Sequence, residues 1–197
     1  MQFRSSAKTL AIAAALAVGA QSTSNAALVT VKEVSGTGSY TDSSRLPLLI
    51  DGIVPAEGSG WTGATNVFWN GLTPTFTLEF NSVYTLDDLL IQVDNNDNYR
   101  IDYSLNGSDW SSLYTIAASS GDIGWGMDTF NQTEINFTPV NAKYLRVQAT
   151  GGDNMYAISE VQAFGTPVPE PATLTLLGAG VLFGQVLRKR RELVTCE

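Results

Sequence analysis

The chain has 197 residues, 11 of them basic and 19 acidic, for a net charge of −8, and it contains no histidine. The missing imidazole excludes Ser-His-Asp and Cys-His catalysis and removes the commonest zinc ligand. So acidic a balance argues against nucleic acid and against anionic membrane surfaces, and is compatible with calcium, a hard cation that takes oxygen ligands.

The N-terminus places Arg4 and Lys8 before an apolar stretch at 10–20 and polar residues at 21–25. Ser24-Asn25-Ala26 puts small residues where a signal peptidase reads, so the pattern predicts a signal peptide over 1–26. A membrane anchor would want about 20 apolar residues, and this stretch is shorter.

Residues 27–168 suffice for one domain and hold five basic side chains (Lys32, Arg45, Arg100, Lys143, Arg146) against 16 acids. Residues 29–34 read as an opening strand. Thr75-Phe76-Thr77-Leu78-Glu79-Phe80 alternates strictly, with Phe76, Leu78 and Phe80 on one face. Residues 89–93 form a second apolar run. Tyr99, Ile101 and Tyr103 face inward in the next strand, and Asn106-Gly107 signals a tight turn before a return strand at 110–116. Residues 143–149 and 158–164 close the set. No amphipathic helix is evident between Ala27 and Pro167. Several short strands separated by Gly, Asn, Asp and Ser point to an all-β sandwich or jelly roll over 27–165. A carboxylate pair is the catalytic chemistry left to such a chain, and no spacing among the acids singles one out, so the domain reads as non-catalytic.

Residues 166–171 are a Pro-rich linker. Val168-Pro169-Glu170-Pro171 leads into a 16-residue apolar run at 172–187 and then the basic cluster Arg188-Lys189-Arg190-Arg191. As a helix that run spans about 24 Å, short of the ~30 Å hydrocarbon core. Gly178, Gly180 and Gly184 weaken it further, which suits a transient signal better than a permanent transmembrane anchor. The basic cluster stays inside by the positive-inside rule, so 188–197 reads as a cytoplasmic tail. Cys196, the single cysteine, lies there too, which leaves the exported part without a disulfide.

The ordered motif, apolar segment and basic stop at 168–191 resemble the PEP-CTERM sorting signal of Gram-negative bacteria. The resemblance implies processing by an exosortase after signal peptidase has acted at the other end. It implies a transient inner-membrane intermediate, and then the cell surface or extracellular matrix.

Over 46–165 the landmarks resemble the coagulation-factor type C, or discoidin, domain. They are Asp51-Gly52 before Trp61, the hairpin Tyr103-Ser104-Leu105-Asn106-Gly107-Ser108-Asp109-Trp110, the strand Lys143-Tyr144-Leu145-Arg146-Val147, and the close Ile158-Ser159-Glu160-Val161-Gln162-Ala163-Phe164-Gly165. The resemblance implies a galactose-binding-like jelly-roll β-sandwich that binds sugars, lipid head groups or proteins through loops at one end. It also implies a structural calcium, with Asp51, Thr62 and Glu160 at the ligand positions. Ile53 departs from the pattern, where a polar ligand is common. The alternative is that Asp51 caps a turn and Glu160 pairs with a Lys or Arg. Asp94-Asn95-Asn96-Asp97-Asn98 begins like an EF-hand loop, but Tyr99 stands at the glycine position and Leu105 at the closing glutamate, so it reads as a polar loop.

Sugar recognition needs an aromatic face and planar polar groups. Trp125, between two glycines, is the best candidate for an exposed platform, with Tyr156 next. Asn96, Asp97, Asn98, Asp153 and Asn154 could supply hydrogen bonds. Trp110, Trp61 and Trp69 read as core, and Arg100 and Arg146 as surface ion pairs. Sugar-binding members often use His and Arg, so no galactose pocket carries over. Two readings remain open: a carbohydrate-binding module for exopolysaccharide or another glycan, and a structural or adhesive surface protein with protein partners.

Overall fold

The computed structural model describes residues 26–121 and 125–169. The expected signal peptide, the apolar segment at 172–187, and Glu170, Pro171, Arg188, Lys189, Arg190 and Arg191 lie outside the described residues.

Nine strands run through the described residues: β1 Ala27–Leu28, β2 Val31–Thr37, β3 Val67–Asn70, β4 Thr75–Asp94, β5 Asn98–Ser104, β6 Ser111–Ile116, β7 Met127–Phe130, β8 Val140–Gly151 and β9 Met155–Pro167. All pairings are antiparallel. The expected all-β discoidin-like sandwich is what the chain forms. One eight-residue 3-10 helix, Ser43–Ile50, is capped by Asp42, whose carboxylate accepts from Ser44 N–H at 2.8 Å.

The two layers share one strand. Residues 75–80 of β4 lie between β2 and β8, in the layer that continues to β5 and β6. Residues 88–94 of β4 lie between β7 and β9, and the far edge of β9 carries β3 and β1. Residues 84–86 pair with both β8 and β9, so β4 passes from one layer to the other there. The sequence pattern suggested two strands at 75–80 and 89–93, and they are the two halves of this 20-residue strand.

Bulges make the crossing possible. The register slips between Glu79 and Tyr84, and again between Leu86 and Asp88. The second slip flips the inward face from even positions (Phe76, Leu78, Phe80, Tyr84, Leu86) to odd ones (Leu89, Ile91, Val93), and every one of these side chains is buried. Asp87, at the flip, is exposed.

An aromatic cluster fills the space between layers at one end. Trp69 on β3 and Tyr156 on β9 come from one layer, Phe76 on β4 and Tyr99 on β5 from the other. The Trp69 ring lies 4.8 Å from Phe76, 5.8 Å from Tyr156 and 6.5 Å from Tyr99. The Tyr99 hydroxyl donates to Ala157 C=O and accepts from Ala157 N–H, both at 3.3 Å, tying β5 to β9 across the core.

Gly165 marks how closely β4 and β9 approach at the crossing. A Cβ there would collide with the Thr85 carbonyl and meet Leu86 Cα at 3.0 Å. Gly165→Ala is therefore expected to cost about 1–3 kcal/mol, the range for overpacking. Urea unfolding checks this, and a loss under about 0.5 kcal/mol, typical of a surface change, would contradict the close approach.

Candidate functional site

Four loops meet at the end of the sandwich above the aromatic cluster. The β4–β5 turn carries Asp94, Asn95, Asn96 and Asp97. The β8–β9 turn carries Gly152, Asp153 and Asn154. The segment entering β7 carries Trp125 and Gly126, and residues 58–59 lie beside it.

Backbone hydrogen bonds latch these loops. Asn95 N–H donates to Gly126 C=O at 2.8 Å, Gly58 N–H to Met127 C=O at 2.9 Å, and Met127 N–H to Ser59 C=O at 2.9 Å. Asp153 N–H donates to Asp97 Oδ1 at 3.1 Å, and Asn96 Nδ2 to Asp153 Oδ2 at 3.3 Å. Asn96 and Asn154 sit at φ 70° and 76°, the left-handed region that asparagine tolerates better than most residues. Gly152, at φ 136°, has no room for a Cβ, because Asp97 Oδ1 occupies that position.

The end is acidic and uncompensated. Asp94 and Asp97 are 3% and 1% exposed, and Asp94 Oδ1 and Asp97 Oδ2 are buried without a hydrogen-bond partner. Burial pushes the Asp94 carboxyl up to about 7, helped by the charges of Asp97 and Asp153. Burial pushes Asp97 to about 7 as well, and the Asp153 charge adds to this against the Asp153 amide that donates to it and the Tyr99 hydroxyl beside it. Tyr99 below them is buried, and burial with the charges of Asp97 and Asp94 holds its phenol well above the usual range, so it stays neutral.

The sequence candidates divide in space. Trp125 is 70% exposed at the rim, as an aromatic platform requires. Asn96, Asp97, Asp153 and Asn154 lie in the two turns that bond to each other, and the first of these turns is bonded to the Trp125 segment through Asn95 N–H and Gly126 C=O. Asn98 stands at the base, its Oδ1 accepting from Ala118 N–H at 2.8 Å. Tyr156 is a correction: it is 2% exposed and packs on Trp69 and Tyr99, because its register opposite Trp69 turns the ring into the core. The local pattern reads Asp94 as the start of a polar, EF-hand-like loop and not as a site residue; what it cannot show is that the fold brings Asp153 close enough for its charge to act on Asp94.

The residues at the expected calcium positions lie apart from this end. Glu160 is 0% exposed, and its oxygens accept from Gly52 N–H and Gln162 Nε2, each at 3.1 Å. Burial raises its carboxyl, and the nearby Asp51 charge adds to that against the two donors. Asp51 Oδ1 caps Ile53 N–H at 2.8 Å, as the turn-cap reading has it. Among the described residues Glu160 has no basic partner of the kind its alternative reading required; the basic side chains of this domain are engaged elsewhere. Thr62 is exposed and bonds to neither acid. Two oxygen-bearing side chains therefore converge at that point, and among the described residues no group of three His, Cys, Asp or Glu is already arranged around a metal position.

The other tryptophans are structural. Trp69 is core, Trp61 is half-buried edge-on to Phe68 at 5.5 Å, and Trp110 is half-buried under the Arg146 guanidinium at 4.2 Å. Arg146 and Arg100 both reach Asp102, at 2.7 and 3.0 Å.

The family model of the F5/8 type C domain matches residues 30–161, and that of the PEP-CTERM protein-sorting motif matches residues 167–191. Among solved structures, the CBM32-1, CBM32-2 and M60 catalytic domains of Clostridium perfringens ZmpB are similar at a TM-score of 0.51 and 17% identity, over 70% of this chain and 15% of that one. The CBM32 of AlyQ in complex with 4,5-unsaturated mannuronic acid is similar at 0.49 and 17% identity, over 70% of this chain and 98% of that one. CpGH89CBM32-5 of Clostridium perfringens, in complex with GalNAc-β-1,3-galactose, is similar at 0.48 and 16%, over 68% and 94%. At these identities the likeness is one of fold. No curated protein matches the chain.

The raised carboxyls of Asp94 and Asp97 fix the sign of a pH effect in metal-free protein. Their ordinary value is 3.8 and their folded value about 7, so the folded state binds more protons between those limits. Stability is then full below about pH 4 as far as this pair is concerned, and is lost as pH rises through about 7. In chelating buffer the melting temperature is expected to fall from pH 5 to pH 8, and Asp94→Asn with Asp97→Asn should flatten that slope. An unchanged slope in the double variant would contradict the assignment.

Proposed function

The chain belongs to the F5/8 type C domain family, and on that footing we propose that it is an exported, non-catalytic glycan-binding module whose target is the cell's own exopolysaccharide. It carries a PEP-CTERM protein-sorting motif. In this reading signal peptidase and an exosortase process the two ends, and the domain reaches the cell surface or extracellular matrix. The observation that carries the binding half is Trp125, 70% exposed on the segment whose Gly126 carbonyl accepts from Asn95 N–H, which links it to the turn that carries Asn96. An indole this open has an apolar face for the C–H surface of a sugar ring, and the amide and carboxylate groups around it match hydroxyls. The family resemblance adds a structural calcium, for which Asp51 and Glu160 are the proposed ligands. It would tie the 3-10 segment to β9 by joining residues 109 apart in sequence. Thr62, the third position that the resemblance gives, completes the proposed set.

Retention of the full chain, in a sugar-free detergent, on an exopolysaccharide panel and a glycan array tests the reading. The wild type is expected to be retained on at least one glycan. Trp125→Ala should weaken retention about tenfold or more, the size of a hot-spot contact. Leu105→Ala, an exposed apolar residue in the hairpin loop at the opposite end, should leave it unchanged. Failure of the wild type to bind any glycan would leave the alternative, a structural or adhesive protein with protein partners.

A further inference from the structure

We propose that Asp94 and Asp97, with Asp153 from the facing turn, form the seat of a divalent cation, calcium by its ligand chemistry, at the loop end of the sandwich. The site is distinct from the Asp51–Glu160 pair and stands whether or not the domain binds glycan.

Two carboxylate oxygens, Asp94 Oδ1 and Asp97 Oδ2, are buried and take no hydrogen bond. A buried acceptor left without a donor costs stability, and a buried carboxylate costs more. Folded chains relieve this with a basic side chain, with a metal, or by keeping a proton on the carboxyl, as this pair does in metal-free protein below about pH 7. The first remedy is used up, since the five basic side chains of the domain are engaged elsewhere. Lys32 and Lys143 reach Glu79, Arg100 and Arg146 reach Asp102, and Arg45 donates to the Gly63 and Asn66 carbonyls.

The donors that surround the pair are hard oxygens. Asp153 brings a third carboxylate, held by Met155 N–H at 2.9 Å and Asn96 Nδ2 at 3.3 Å. The chain has no histidine, and its one cysteine is at position 196, so softer metals have nothing to bind. Among the described residues no three acids stand at coordination spacing, so cation binding requires one carboxylate to move. Asp153 is the one that must turn inward, and it stands in a turn with a glycine on one side and a left-handed asparagine on the other. Calcium, with its variable geometry, tolerates such a donor set better than magnesium, which demands a near-ideal octahedron.

Calorimetric titration of calcium chloride into the chelator-stripped full chain, with melting curves in parallel, tests the site. The wild type is expected to bind saturably, in the ~10⁻⁴–10⁻³ M range of extracellular modules, and to melt several degrees higher with calcium. Asp94→Asn with Asp97→Asn should lose one equivalent of calcium. In chelator it should melt at least as high as the wild type, which shows that it folds. Glu160→Gln should keep that equivalent. The proposal is overturned if the wild type shows neither calcium heat nor a melting shift, or if the double aspartate variant keeps the wild-type stoichiometry. Loss of glycan retention alone leaves this result standing.

Discussion

The constraint on which the loop end depends is the junction of Tyr99 with Ala157. A phenol buried between the layers both donates to and accepts from one residue of the opposite sheet. It fixes β5 against β9 at the point where each strand emerges from a turn. The turn before β5 holds Asp94 to Asp97, and the turn before β9 holds Asp153 and Asn154. Trp69, Phe76 and Tyr156 pack around the same phenol. The two acidic turns are thus placed against each other by an aromatic cluster that itself contains no charged side chain. Loops of small polar residues acquire a defined geometry from the rigid elements beneath them.

Much of the architecture was legible because alternation is a backbone property. The inward faces of β4, β5, β8 and β9 follow directly from side-chain period two. What alternation could not show was that 75–80 and 89–93 are one strand, since two bulges interrupt the register and the second inverts the pattern. β3 and β7 are four residues each, too short to display a period, and Val67-Phe68-Trp69-Asn70 is flanked by turn-forming glycines. Tyr156 misled for a related reason. Its neighbours Gly151 to Asn154 look like loop, yet the strand starts at Met155, and pairing with Trp69 decides where the ring points. Trp125 was readable because a tryptophan between two glycines has no strand to enter. Asp94 was not, because its significance lies in Asp97 and Asp153, and no local pattern announces a contact across 59 residues of chain.

The buried acids show which charges the fold answers internally. Asp102, on β5, is buried and takes both Arg100 and Arg146, the latter also stacked on Trp110. Glu160 is buried and satisfied by two neutral donors. Asp94 and Asp97 lie in the same sandwich and have neither remedy on one oxygen each. A chain with five basic side chains in its domain has paired four of them with Glu79 and Asp102 and the fifth with backbone carbonyls, and none with Asp94 or Asp97. Uncompensated charge of this kind marks a site more often than a structural device, because structure alone would favour neutral residues there.

The placement of the tail completes the geometry. β9 begins at Met155 beside the acidic turns and ends at Pro167, at most about 40 Å away at strand rise. Val168 N–H then donates to Val83 C=O at 2.9 Å, holding the start of the sorting motif at the corner where β4 changes layers. Residues 94–97, 125 and 153 are therefore at the opposite end of the sandwich from the point where the chain leaves for the sorting signal. The acidic loops and Trp125 therefore point away from the place where the domain continues into the sorting motif.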